Sequence, residues 1–248
     1  MRLLLTILSA VMIMGCRSHY HEDLTIAVSA NMQFAMHEIV ESFEKSTDLK
    51  CKMVVSSSGK LTAQIVAGAP FDVLVSADVK YPMELFELGI AIDSPVVYAL
   101  GKLVLWSTKK DIEPSLEYLG SQNVKHIAIA NPATAPYGAA AIEVLKKYGM
   151  LESIQHKLVY GESISQTNQF VISGSAEAGF TAMSVVLSKQ MKGRGKWIEL
   201  DHHLYSPIAQ SMVVVDNENK MLSGKFFAFL FSPEAKEILR KNGYELPN

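Results

Sequence analysis

Four stretches of this chain bring hydroxyl, amide and small side chains to points where an apolar run gives way to a helical pattern. They are Ser29-Ala30-Asn31, Ser56-Ser57-Ser58-Gly59-Lys60, Ala130-Asn131-Pro132-Ala133-Thr134-Ala135-Pro136-Tyr137-Gly138 and Gly161-Glu162-Ser163-Ile164-Ser165. A helix start carries free N–H groups and a partial positive charge, so it suits an anion. Several aimed at one point form a cage of uncharged donors. Taken singly, each Ser, Asn or Thr reads first as an ordinary helix cap. The serine run stands out, because Gly59 lets backbone approach a ligand closely. It is not a phosphate-binding P-loop: no glycine lies five residues before Gly59, and Leu61 replaces the required Ser or Thr. Lys60 is expected on an exposed helix face.

The energies are adequate for tight capture. A hydrogen bond to a charged group contributes about 1.5–3 kcal/mol net. Six or seven of them supply roughly 9–20 kcal/mol before desolvation and ordering, against about 12 kcal/mol for nanomolar binding. Desolvation of the anion is the chief opposing effect.

The elements that must position these loops alternate. Leu24–Ser29, Leu49–Ser56 and Phe71–Ser76 read as strands. Helical spacing at Met36, Ile39, Val40 and Phe43, then over Leu61–Ala69 and Pro82–Leu88, separates and follows them. Gly89 reads as a helix stop. A second set repeats the pattern: strands at Ile127–Ala130, Leu158–Tyr160 and Ala178–Thr181, helices at Ala139–Tyr148 and Ser163–Ser173. Val96–Ser107 and Ile208–Val215 are long apolar runs that suit crossings between two lobes. Helices near Leu222–Phe231 and Pro233–Asn242 are expected to pack on the first lobe, with Ser232 capping and Pro233 at the first helical position.

This order predicts an α/β fold of two lobes, each a mostly parallel sheet flanked by helices, with two crossing strands as a hinge. Residues 23–102 and 211–248 form the first lobe and 103–210 the second. Ligands of such sheets bind beyond the carboxyl ends of the strands, which here face a cleft. Asp78 reads as a helix cap, and neither it nor Asp72 is expected to point at an anion, since like charges repel.

The N-terminus sets the compartment. Arg2 followed by an apolar run from Leu3 to Met14 has the form of a secretory signal. That run is shorter than the roughly 20 residues a membrane-spanning helix needs. It ends in Ile13-Met14-Gly15-Cys16, which resembles the lipobox of bacterial lipoproteins. Residues 1–15 are therefore expected to be removed, Cys16 acylated, and residues 16–22 to form a tether. Cys51 then stands alone, read as a small buried apolar strand residue, with no disulfide framework. Loss of Arg2 takes one of 23 basic residues and leaves 25 acidic ones. No basic stripe exists, so nucleic acid is excluded as a partner, and any anion must be held by local dipoles.

The chain resembles the periplasmic molybdate/tungstate-binding proteins of ABC transporters, within the type II periplasmic-binding-protein superfamily. Ile26–Ile39, Ser56–Gly68, Ala69–Asp78 and Ala130–Gly149 carry the likeness, which covers everything after about Leu24. The resemblance implies a ligand set of Ala30 (through its backbone N–H), Asn31, Ser58, Tyr137 and Ile164 around one metal oxyanion. A tyrosine ligand of some members falls on Ala182, and the resemblance to another branch implies that the Tyr137 hydroxyl replaces it. It further implies a lipid-anchored periplasmic or cell-surface monomer, no cofactor, and a membrane permease as partner.

Other readings are weaker on the residues. A hydrolase lacks a Gly-x-Ser-x-Gly elbow and a His-Glu-x-x-His pair, and His202-His203 reads as a solvated loop. An organic-solute carrier wants an arginine for a carboxylate, yet Arg17, Arg194 and Arg240 lie outside the cleft loops. Molybdate, tungstate and sulfate are fully deprotonated near neutral pH. Phosphate keeps a proton and needs an acceptor, for which only Glu162 is near. Preference for molybdate over sulfate rests on the resemblance.

Overall fold

The computed structural model describes residues 23–247. The signal segment 1–15, the tether 16–22 and Cys16 lie outside the described residues. The chain runs β1 (Asp23–Ser29), a 3-10 turn (Ala30–Met32), α1 (Gln33–Thr47), β2 (Lys50–Ser56), α2 (Ser58–Val66), β3 (Val73–Ser76), α3 (Lys80–Glu87) and β4 (Val96–Gly101). It continues through β5 (Leu103–Ser107), α4 (Leu116–Leu119), β6 (Ile127–Ala130), α5 (Pro136–Lys147), α6 (Leu151–Ile154), β7 (Leu158–Gly161), α7 (Ile164–Ile172), β8 (Ala178–Ala182), α8 (Met183–Leu187) and β9 (Lys196–Glu199). It closes with β10 (Ile208–Val214), α9 (Lys220–Leu230) and α10 (Pro233–Lys241).

Two five-stranded sheets result, ordered β2-β1-β3-β10-β4 and β7-β6-β8-β5-β9. In each, all strands but one share a direction; β10 is the exception in the first and β5 in the second. The α/β expectation therefore holds in both lobes. The carboxyl ends of β1, β2 and β3 face those of β6, β7 and β8 across a cleft.

Period-two burial explains the first sheet. Leu24, Ile26 and Val28 pack on Met36, Ile39 and Phe43 of α1 and on Phe226, Leu230 and Leu239 of α9 and α10. Ala27 and Leu74 face the other way, onto Leu61, Ile65 and Leu85 of α2 and α3. Phe43 meets Phe226 edge-on at 5.3 Å between ring centres. The C-terminal helices thus seal the first lobe. In the second, Leu105, Ile127, Ile129 and Phe180 pack on Val144 and Leu145 of α5, while Trp106 and Ala128 meet Val171 of α7.

Several elements depart from the sequence reading. Val96–Ser107 is two strands, interrupted at Lys102 where the chain leaves the first lobe. α2 and α5 begin earlier than their apolar spacing indicates, at Ser58 and Pro136. Ser58 and Tyr137 therefore lie in first helical turns, not in loops. Strand β9 was not anticipated; its four residues, Lys-Trp-Ile-Glu, are too few to carry a pattern. Asp72 is architectural: it accepts from the Thr25 amide at 2.6 Å and from the side-chain amides of Asn217 and Asn219 at 2.9 and 3.1 Å. Asp78 accepts from the Tyr81 amide at 3.3 Å, as a helix-start residue does. Cys51 is half-buried beside Glu44, and burial pushes its thiol up to about 12.

Candidate functional site

Four helix starts converge on one cavity. Its first-lobe wall is Ser29, Ala30, Asn31, Ser57, Ser58 and Ala77; its second-lobe wall is Ala135, Pro136, Tyr137 and Ile164. All five residues singled out as ligands, Ala30, Asn31, Ser58, Tyr137 and Ile164, are brought together here. No lining residue carries a formal charge. Each wall follows the carboxyl ends of parallel strands, the usual place for a ligand in such sheets. The cavity is partly open and offers about 10 Å³ to the centre of a water-sized sphere, the scale of one water.

Bonds across the cleft hold this closed arrangement. The Gly59 amide donates to the Thr134 carbonyl at 3.0 Å. The Tyr81 hydroxyl donates to the Ala133 carbonyl at 2.7 Å, and Ser165 Oγ to Gln33 Oε1 at 3.2 Å. Lys60, expected merely to be solvated, is exposed but pairs with Glu162 of the opposite lobe.

The lining groups differ in what they have left to give. Ser58 Oγ accepts from the Ala77 amide at 3.1 Å, which leaves its proton free for the cavity. Asn31 is already engaged: its amide nitrogen donates to Gln210 Oε1 at 2.7 Å and to the Tyr244 hydroxyl at 3.1 Å. Its carbonyl accepts from Ser184 Oγ at 2.7 Å. What Asn31 can still offer is its backbone N–H. Gln210, Tyr244 and Ser184 come from the return strand, the C-terminal segment and the second lobe. No local sequence signal marks them as partners of Asn31.

Tyr137 is 1% exposed, and its hydroxyl makes no well-formed hydrogen bond although the Asn31 and Tyr244 side chains lie beside it. Burial pushes that hydroxyl well above the usual phenol range, so it remains a proton donor. It sits over Gly101, at the end of the outgoing strand, where any Cβ would overlap it. Ala182 is fully buried, paired to Leu103 in the second sheet. Six buried hydroxyls among the described residues lack a partner, and three of them, on Ser29, Ser57 and Tyr137, line this cavity. A buried polar group without a partner costs about 1–3 kcal/mol. Half of these hydroxyls belong to residues around this one cavity.

Asp201, His202 and His203 form the one group of three potential metal-ligating side chains among the described residues. All are exposed and none lines the cavity. Asp201 accepts the His203 amide at 2.9 Å, as an ordinary capped turn does.

A hinged pair of α/β lobes closing on a site of neutral donors defines a solute-binding protein. In agreement, the model of the family described as bacterial extracellular solute-binding protein matches residues 24–245. The chain belongs to that family. It is 40% identical over 224 residues to the molybdate-binding protein ModA of Rhodobacter capsulatus, covering 90% of this chain and 88% of that protein. It is 39% identical to the ModA of Azotobacter vinelandii, covering 90% of each. The solved structure of the periplasmic molybdate-binding protein of Azotobacter vinelandii superposes with a TM-score of 0.86 at 33% identity, covering 91% of this chain and all of that one.

Proposed function

We propose that this protein captures molybdate or tungstate outside the cytoplasm and delivers it to the membrane permease of an ABC importer. The observation that carries the reading is the cavity itself: converging helix starts, free hydroxyls, and no carboxylate to take a proton from phosphate. The names and 39–40% identity of the ModA relatives support the same ligand. Ala30, Asn31 and Ile164 contribute backbone N–H groups; Ser58 and Tyr137 contribute hydroxyls. Lobes of residues 23–102 with 211–248, and of 103–210, close about the crossings near Lys102 and Ile208. The ion favours the closed form because only there do both walls reach it, and it shifts the equilibrium by that difference in affinity alone. The permease reads the closed form. No bond is made or broken in this cycle.

Cys16 is the proposed lipid attachment site, with residues 1–15 removed. Replacement of Cys16 by Ala is expected to release the protein from the membrane fraction. For the ligand, isothermal titration with molybdate, tungstate and sulfate is decisive. Tight binding of the first two is expected; no heat with any of the three sinks the oxyanion reading.

A further inference from the structure

The ligand set drawn from the resemblance leaves the site short of side-chain donors. Ala30 and Ile164 have none, and both amide hydrogens of Asn31 are spent on Gln210 and Tyr244. Only the Ser58 and Tyr137 hydroxyls remain. Yet two further hydroxyls belong to residues of the same cavity wall. Ser29 is 1% exposed and Ser57 is 3% exposed; both line the cavity and neither Oγ has a partner.

Each occupies a helix-start position with extended backbone, where a serine ordinarily turns its oxygen onto the first-turn amides. Neither does so. A serine that gives up its cap and is buried without a partner loses on both counts. An acceptor arriving in the cavity reverses the second loss.

We infer that Ser29 and Ser57 are two additional, affinity-determining donors to the oxyanion, doubling the hydroxyls that converge on it from two to four. The inference rests on the oxyanion reading above and deepens it. Both come from the first lobe, so they strengthen that wall of the cavity. Because each hydroxyl rotates freely about its Cβ–Oγ bond, it follows the ion as the lobes settle.

The test is titration of molybdate into the full mature protein and its Ser29→Ala, Ser57→Ala and Ser58→Ala variants, with thermal melts of each with and without molybdate. Loss of one hydrogen bond to a charged group is expected to weaken binding about tenfold in Ser29→Ala and in Ser57→Ala. The melting temperature without ligand should hold or rise in both, since an unpartnered hydroxyl has been removed. The rise in melting temperature on adding molybdate should shrink. If Ser58→Ala weakens binding while the other two stay within about twofold of the parent, the inference is overturned and the oxyanion reading stands. An equal fall in melting temperature with and without ligand assigns a purely structural role and also overturns it. Failure of the parent protein to bind molybdate or tungstate overturns both.

Discussion

Serines open helices in two ways in this molecule. Ser115 accepts the Tyr118 amide at 3.1 Å, and Ser232 accepts the Ala235 amide at 3.2 Å. Ser29, Ser57 and Ser163, at the starts that face or flank the cleft, make no such bond. All five have extended backbone at the helix start, so local conformation does not separate them. Location does. Among these five, the serines away from the cleft cap their helices and those that face or flank it do not. A capping serine contributes about 1 kcal/mol to stability, so withholding it near the cleft weakens the fold in a way that binding explains and folding does not.

The largest expected break of this contrast is at Ser58, which serves both purposes. Its oxygen holds the Ala77 amide, and its proton is left for an acceptor in the cavity it lines. Ser58→Ala should reduce molybdate affinity by about 30-fold or more, combining a lost charged hydrogen bond with a displaced Ala77. It should also lower the melting temperature without ligand, because the buried Ala77 amide loses its acceptor. Titration and thermal melts on one preparation separate the two effects. An unchanged affinity would mean the Ser58 proton points elsewhere.

An acceptor remote from the cavity shows the opposite economy. Burial raises the Glu177 carboxyl, but the amides of Lys125 and His126 at 2.9 and 2.8 Å, with Lys109 at 3.2 Å, more than offset it and hold it below its ordinary value. A carboxylate depressed in the folded state stabilises above its unfolded value, and that stability is lost as pH falls through the folded one. The second lobe should therefore loosen with acid below the ordinary carboxylate range. Glu177→Gln should lower stability at neutral pH and flatten that acid limb in melts taken between pH 7 and about pH 3. Molybdate affinity at neutral pH should stay within about twofold, since Glu177 touches no cavity residue and only its hydrogen-bonding role is changed.

How much of this was legible in the sequence varies with the range of the interaction. The strands Ile127–Ala130 and Leu158–Gly161 follow from short apolar runs bounded by turn residues, and α10 follows from Ser232, Pro233 and its first-turn Glu234. The four cleft loops were marked by composition, and all five named site residues do meet. What stayed hidden is non-local. Nothing near Asn31 announces that Gln210, 179 residues away, and Tyr244, 213 away, occupy its amide. Nothing in the Ser-Ser-Ser run says that Ser57 leaves its helix uncapped while Ser58 accepts the Ala77 amide, because that depends on residues far along the chain. The break at Lys102 was masked because apolar strands on both sides read as one run.

Ser232→Ala gives the reciprocal result to Ser58→Ala. It should lower stability by about 1 kcal/mol and leave molybdate affinity within about twofold, because the start of α10 touches nothing in the cavity. Any larger loss of affinity would mean that the docking of α10 on the first lobe tunes Tyr244 and, through it, Asn31.

The smallest effect is expected where charge crosses the cleft in the open. Lys60 and Glu162 pair between lobes, but both side chains are about half exposed, and such pairs contribute about 0–1 kcal/mol. Glu162→Gln should change molybdate affinity by threefold or less. The direction is a balance: removing the acid weakens closure slightly, yet it also removes a negative charge from the rim an anion must pass. Raising salt screens both effects, so parent and variant affinities should converge as ionic strength increases. A persistent difference at high salt would assign Glu162 a contact inside the closed site, and would move one charged residue from the rim into the group of cavity residues otherwise made only of neutral donors.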